Sequence, residues 1–387
     1  MGAGAWVREY AVQVETVAAD AGIETLLVTS DASAVTFGAG KVGLGGDGSA
    51  NGKFKLLTTN KADIVTSSAV QEFEKASGYA DNIEEDIQST VAQPSTFAPE
   101  IHANAYSASL FMQMMCQNGA LQSAFGGVMR DKFVPYTKID IMYYGAFMSK
   151  VAKLGGVVDQ CVLMRGSLPA SLRFSAEEGG LLTLAAEMQG AKWSKDFAGT
   201  GIPASAQGIL KKALLKWQDA IILMDDAYTT AGDPNSGLKT LVDSSNTRFS
   251  LQGLELTINN GLAAKFYNST TIQAFVLGKY KASGSFNIPW VVPGIGDEAR
   301  YYWTHIQNFR DGITKHMKVY WGNVDATTDN SLVIDMYIKY NSGTLEGDDV
   351  LQSNMGFMCV SPTDGTPSLT VYCGHTTSVL NRGLPAS

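Results

Sequence analysis

Apolar and polar residues alternate with a period of two along much of this chain, the pattern of a strand with one buried face. In Leu254-Glu255-Leu256-Thr257-Ile258-Asn259 the apolar side chains take one face and the polar ones the other. Asn259-Asn260-Gly261 is a tripeptide suited to positive φ, and Leu262, Ala264 and Phe266 then resume the alternation, which predicts a hairpin. Tyr280, Ala282, Gly284, Phe286 and Ile288 alternate with Lys279, Lys281, Ser283, Ser285 and Asn287 in a run that ends at Pro289, where no ladder donor exists. Leu332, Ile334, Met336, Ile338 and Tyr340 repeat the pattern. In the first half, Leu172, Phe174 and Ala176 lead into Glu177-Glu178-Gly179-Gly180, and Leu182, Leu184, Ala186 and Met188 follow, which predicts a second long hairpin.

Helical spacing is sparser. Ala103 to Gln117 has Ala103, Tyr106, Leu110 and Met114 in line, with Gly119 as a stop; Glu298 to Arg310 and Ala204 to Trp217 are the other candidates. With strands dominant, each helix is expected to cover a sheet. Met112, Met114, Met115 and Cys116 read as the buried face of the first helix. The stretch Lys195 to Gln207, with Gly199, Gly201 and Pro203, reads as a boundary, dividing the chain into 1–195 and 196–387. Each half has a long hairpin and an amphipathic helix, as a duplication would leave. Ala39 to Gly52 is rich in glycine and reads as a loop.

Composition narrows the function. Of 387 residues, 45% are hydrophobic, enough for packed cores, and only 17% are charged against about 25% in an average soluble protein. Lys plus Arg number 29 and Asp plus Glu 37, a net charge of −8, which argues against a protein that neutralises phosphates but allows a surface past which nucleic acid slides. The four cysteines, Cys116, Cys161, Cys359 and Cys373, form no CxxC pair, and a reducing compartment is expected. The N-terminus has charged residues in place of a signal-peptide core, and no stretch of 18 uncharged apolar residues occurs, so neither secretion by that route nor contact with a membrane is expected.

Catalytic and ligand motifs lead nowhere. Gly38-Ala39-Gly40-Lys41-Val42-Gly43 fits a dinucleotide loop, yet Gly45, Gly46 and Gly48 follow where a helix has to start. His102, His305, His316 and His375 are scattered without a carboxylate-histidine cluster, metal spacing or nucleophile elbow. Glu84-Glu85-Asp86, Glu177-Glu178, Asp225-Asp226 and Asp348-Asp349 read as solvated loop tips, since neighbouring strand residues point to opposite faces. No catalytic residue, metal ligand or cofactor is expected, and the chain reads as a non-enzyme.

The segments taken together resemble the major tail tube proteins of tailed bacteriophages, in the long form with two tube domains. Gly155 to Val162 followed by Leu168 to Ala176 is similar to that family's approach strand and first long tube strand; Gly179-Gly180 and Leu182 to Gly190 resemble its return strand. Leu254 to Gly261 and Gly278 to Phe286 are similar to the same hairpin and to the strand before the domain's helix, with Ala103 to Gln117 as the helix of the first half. The resemblance implies a mainly β fold of two antiparallel β-sandwich or half-barrel domains, each with a flanking α-helix. It implies rings, with a trimer preferred over a hexamer, stacked into a tube for DNA ejection in the virion tail, assembled in the host bacterial cytoplasm. The implied partners are further copies of the chain, the tape measure and terminator proteins, in some phages a sheath, and DNA in transient passage. The inner wall is expected to be acidic or neutral, with Glu177, Glu178 and Glu187 as lumen-facing candidates, while Lys279 and Lys281 face a neighbouring subunit or the exterior. The alternatives are another tail, baseplate or capsid protein, and a carbohydrate-binding β protein using Trp290, Tyr301, Tyr302 and Trp303 as a platform.

Overall fold

The structure, a computed structural model, describes residues 6–18, 54–73, 87–153, 160–196, 214–225, 251–267, 272–289, 314–322, 330–346, 352–362 and 365–375, with short breaks in some of these ranges, together with Ile23 and Gly312. The chain is mainly β, and every paired strand is antiparallel to its neighbour. The first half supplies β1 (Trp6–Ala18), β2 (Phe54–Leu56), β3 (Ser68–Phe73), β4 (Ile87–Ala92), β5 (Ser95–Phe97), β6 (Glu100–His102), helix α1 (Ala105–Cys116), β7 (Ala120–Phe125), β8 (Val128–Phe133), β9 (Ile141–Lys153), β10 (Gln160–Glu177) and β11 (Thr183–Asp196). The second supplies β12 (Ala220–Asp225), β13 (Gly253–Asn259), β14 (Ala263–Lys265), β15 (Ala274–Val276), β16 (Lys281–Pro289), β17 (Thr314–Trp321), β18 (Ser331–Glu346), β19 (Gln352–Cys359) and β20 (Leu369–His375).

Sixteen strands form one sheet in the order β2-β1-β9-β10-β13-β16-β19-β18-β20-β8-β7, with β11 on the other side of β10 and β17 on the other side of β18. Two long strands change partner midway. β10 pairs with β9 over Gln160–Ser167 and with β13 over Ser171–Glu177, and its register against β11 shifts between Pro169 and Ser171. Pro169 lacks an N–H, so a bulge there disrupts the ladder least. β18 pairs with β20 over Ser331–Met336 and with β19 over Ile338–Glu346, with its own shift between Tyr340 and Ser342. The sheet crosses the 195/196 boundary twice, where β10 meets β13 and where β8 meets β20.

The β10–β11 hairpin forms as its alternation predicts, closed at Gly179 with φ 74° and by Gly180 N–H donating to Glu177 O at 2.8 Å. The second predicted hairpin does not form. β13 pairs with β10 and β16, while the chain leaves that sheet after Asn259 and Ala263–Lys265 pairs with β15. The reason is Asn260, which is fully buried: its Nδ2 donates to Pro169 O at 2.9 Å, its N–H donates to Ala170 O, and its Oδ1 accepts from Leu262 N–H at 3.1 Å. The side chain fills the corner left by the β10 bulge and turns the chain out.

Helix α1 also differs from its expectation. It lies among β8, β9, β10, β18 and β20, and all twelve of its residues are buried. Its segment AYSASLFMQMMC carries no charge, so no face requires water and the helix fills the core instead of covering a sheet. Asn104 and Ser107 form a reciprocal capping box, and Asn330 Oδ1 accepts from Ala105 N–H at 2.8 Å. The helix stops at Gln117, not Gly119. Gln117 takes the left-handed conformation (φ 53°), and its side chain accepts from Tyr143 N–H at 2.8 Å and donates to Tyr143 O at 3.1 Å, fastening the helix end to β9.

One core spans both halves, with Phe97, Phe111 and Phe147 grouped near α1 and Phe286, Phe357 and Tyr340 grouped under β16, β18 and β19. The predicted helix over Ala204 to Trp217 is overturned at its described end. Lys216 is extended and bridges Leu181, and Trp217–Asp219 is a single 3-10 turn. The helix at Glu298 to Arg310, the loop at Ala39 to Gly52 and the aromatics Trp290, Tyr301, Tyr302 and Trp303 lie outside the described residues.

Candidate functional site

The strands β11, β10, β13, β16, β19 and β18 run side by side and present one continuous outward face. Directly opposed residues in an antiparallel pair share a side, so the register defines the rows of this face. Glu187, Ser171, Asn259 and Lys281 form the first row. Ala185, Arg173, Thr257, Ser283, Met358 and Lys339 form the second. Thr183, Ser175, Glu255, Ser285, Gly356 and Ser342 form the third. Glu177, Gly253, Asn287 and Asn354 form the fourth, which Lys216 joins through its bridge to Leu181.

The same strands turn Leu172, Phe174, Leu256, Ile258, Phe286 and Phe357 inward, each at most 1% exposed. Outward, small hydroxyl and amide side chains dominate, and they bond to one another. Ser171 Oγ donates to Glu187 Oε2 at 2.8 Å, the Ser175 and Thr183 hydroxyls are 3.0 Å apart, and Thr183 Oγ1 donates to Ser175 O at 2.9 Å. Cations and anions are interspersed. Glu100 on β6 sits beside Ala185, so Glu100, Glu177, Glu187 and Glu255 stand against Arg173, Lys216, Lys281 and Lys339. Arg173 and Glu255 are 4.0 Å apart, each side chain 48% exposed, a solvated pair of small energetic weight.

Of the three acids singled out from the sequence, Glu177 and Glu187 lie on this face, in its outermost rows. Glu178 lies on the adjoining turn, exposed, its N–H donating to Gln252 O at 2.7 Å. Lys281 shares the first row with Glu187. The alternation already contains this, because Lys281 opposes Tyr280 and Ala282 just as Glu187 opposes Ala186 and Met188. The hidden step is the β13–β16 pairing, which puts both alternations on one sheet. Arg173, Lys339 and Glu255 join the face through the same register.

A second polar cluster corrects the view that no histidine has a carboxylate beside it. His316 on β17 donates from Nε2 to Asp335 Oδ1 on β18 at 2.6 Å, and Lys318 Nζ lies 3.4 Å from Asp335 Oδ2. The ring of His316 stacks on Tyr337 at 4.4 Å and 14°. Nineteen residues separate His316 from Asp335, so only the β17–β18 register brings them together. The one carboxylate is shared between two basic groups in a nearly closed site, an arrangement that joins the two strands.

Among the described residues, no three His, Cys, Asp or Glu side chains stand together as a metal site, and no helix is long and apolar enough to cross a membrane. Burial pushes the Cys116 thiol up to about 12, partly offset by a contact with Tyr280 Oη at 3.9 Å, and raises Cys373 further. Burial thus keeps both sulfurs in the thiol form near neutral pH, the less nucleophilic form. The chemistry available on the bare face is weak hydrogen bonding and balanced charge over a broad surface. No family model matches the chain, and no curated protein matches it.

Proposed function

We propose that this chain is a structural subunit of the tail-tube type, closing laterally into rings that stack into a conduit for DNA, with the bare face of β11, β10, β13, β16, β19 and β18 as the inner wall. The observation that carries this reading is the contrast across those strands: an apolar side sealed against the core, and a polar side with near-equal numbers of both charges. A conduit for a polyanion needs such a wall. Clustered Lys and Arg hold phosphates by releasing counterions, and clustered acids raise the energy of entry, whereas interspersed charges do neither.

One margin of the face supports lateral closure. β17 leaves β18 at Lys339, so among the described residues β18 continues from Asn341 to Glu346 with β19 as its one partner strand. The other margin is already lined: residues 58–65 meet β5 and β6 through the bridges of Val65 with Thr96 and Thr58 with Ile101, with Thr59 N–H donating to Glu100 O at 2.7 Å and Glu100 N–H donating to Asn60 Oδ1 at 3.1 Å. Open strand edges pair with other chains unless they are covered, and closure into a ring covers them. A trimer is preferred, because both halves of each chain contribute strands to the wall.

Negative-stain microscopy of the purified protein tests the reading, with rings or tubes and a countable symmetry expected. A protein that stays monomeric at high concentration and moderate salt overturns it.

A further inference from the structure

The chain that leaves the six-strand face at Asn260 differs in charge from the rest of the molecule. No carboxylate stands between Glu255 and Asp297, and Lys265, Lys279 and Lys281 are the only charged residues of that stretch, in a chain of net charge −8. Within it Ala263–Lys265 and Ala274–Val276 pair as the β14–β15 hairpin. One side of the hairpin is packed: Ile272 and Phe275 join Met142, Tyr144 and Leu168 in a second buried cluster, with Leu262, Ala264 and Phe266 against it. The hairpin is also fastened. Gln273 N–H donates to Lys265 O at 2.8 Å, Gly278 N–H donates to Asn260 O at 2.8 Å, and the Tyr136 hydroxyl donates to Gly278 O. The other side is bare. The register puts Ala263 opposite Val276 and Lys265 opposite Ala274; Val276 is 43% exposed, and Lys265, Lys279 and Lys281 are exposed. Tyr267 is 67% exposed and holds φ 35°, a left-handed conformation rare for an aromatic residue, so the backbone bears strain at the residue that shows its ring to solvent.

A packed platform with exposed lysines, an exposed aromatic ring and no carboxylate of its own suits a polyanion that also carries flat apolar faces. We propose that this hairpin binds single-stranded nucleic acid, with Lys265, Lys279 and Lys281 meeting phosphates and Tyr267 taking a base on its ring. Bases stack on a side-chain ring where their faces are open, as in a single strand and not inside a duplex. Three lysines displace too few counterions to hold a duplex by charge alone at physiological salt. An acidic peptide binds through side chains anchored in pockets, whereas Ala263 and Ala274 keep the middle of the bare side low, which suits a planar base. The proposal goes beyond the tube reading and does not depend on it. Within a conduit it adds a holding point for an unpaired strand end beside a wall of balanced charge.

Fluorescence anisotropy of the full chain with a labelled oligothymidine of about 12 nucleotides, a length within the usual span of single-strand sites, tests the proposal. At about 0.05 M salt the wild type is expected to bind the oligothymidine and not a blunt duplex of equal length. Tyr267→Ala is expected to weaken binding about 10-fold and Tyr267→Phe to leave it unchanged, because the ring and not the hydroxyl carries the stacking. K265Q/K279Q removes two of the three phosphate contacts and is expected to reduce the slope of log affinity against log salt from about −2 to about −0.7. Arg173→Gln, on the six-strand face, is expected to change neither quantity. All the substituted positions are exposed, so every variant is expected to keep the wild-type melting temperature. Wild type that leaves the oligothymidine free, equal binding of the duplex, or binding that survives both Tyr267→Ala and K265Q/K279Q overturns the inference and leaves the tube reading standing. Capture of the chain by anionic lipid vesicles in place of the oligothymidine overturns it as well and assigns the hairpin to a lipid surface. Oligothymidine binding by a protein that forms no ring supports the inference and removes the tube reading alone.

Discussion

The two faces of the six-strand sheet are made by the same residues in alternation, yet they obey different rules. On β10, Leu172, Phe174 and Ala176 are at most 3% exposed, while Arg173 and Glu177 between and beside them lie open to solvent. The inner face is selected for volume and shape, since each side chain meets a packed core. The outer face follows a different rule: among the described residues it presents no large apolar patch and no single-sign charge field. A strand built this way carries stability on one side and leaves the other free for function.

The largest expected effect breaks the inner side. Phe174→Ala empties a site that is 1% exposed and is expected to cost about 3–5 kcal/mol, read from chemical denaturation midpoints at constant slope. A cost under about 1 kcal/mol would mean that this face is not sealed. Next is the buried polar fastening at the helix end. Gln117→Ala removes both bonds to Tyr143 and leaves a backbone N–H and a carbonyl without those partners, at an expected cost of about 1–3 kcal/mol. Gln117→Gly separates the two roles of this residue: it relieves the left-handed backbone but not the lost bonds, so it is expected to be less damaging than alanine, though still destabilising.

How much of this was legible in the sequence follows from which forces are local. Alternation set out β10, β11, β13, β16 and β18 because one-sided burial writes a period of two into any strand. Pro289 marked the last residue of β16 because a missing donor acts at its own position. The partners of those strands were not legible. Asn259-Asn260-Gly261 has the composition of a hairpin turn, but the Asn260 side chain reaches across to Pro169, and a contact over 91 residues outweighs the local preference. Helix α1 was found while its surroundings were not: the uncharged segment already excluded a solvated face, but the heptad-like spacing of its largest side chains suggested one. Glu177 and Glu187 were named from the sequence one by one, whereas the rows that set them on one face with Arg173, Lys281 and Lys339 emerged only with the register.

The thiols behind the inner face sharpen the comparison by pH. Cys116 ionises near 9.0 when exposed and is held at about 12 in the fold by burial, Cys359 is raised likewise to about 12, and Tyr280 lies well above its ordinary value. Raised acids favour the fold fully below the pKa of the unfolded chain. Between about 9 and about 12 the unfolded state releases protons that the folded state keeps, so stability falls as pH rises through that window. The melting temperature is expected to be insensitive to these groups from pH 6 to 8 and to drop above about pH 9, with the drop reduced in Cys116→Ala. A flat profile up to pH 11 would mean that the thiols meet water.

The smallest expected effect is on the outer side, and it tests the comparison most directly. Arg173 neighbours Phe174 in the chain, but its guanidinium is half exposed and 4.0 Å from a carboxylate that is equally exposed. Arg173→Ala is therefore expected to change stability by no more than about 0.5 kcal/mol, an order of magnitude below Phe174→Ala one residue away. On the proposed reading, what this side controls is its interaction with a polyanion. Glu255→Lys together with Glu187→Lys replaces two anions by two cations on a face where they stand against Arg173 and Lys281. The expected outcome is duplex DNA retention by the variant at low salt, lost steeply as salt increases, against none by wild type, with both melting temperatures alike. Equal DNA retention by wild type and variant would show that the charge balance of this face does not keep DNA from binding, which counts against its proposed role as a conduit wall.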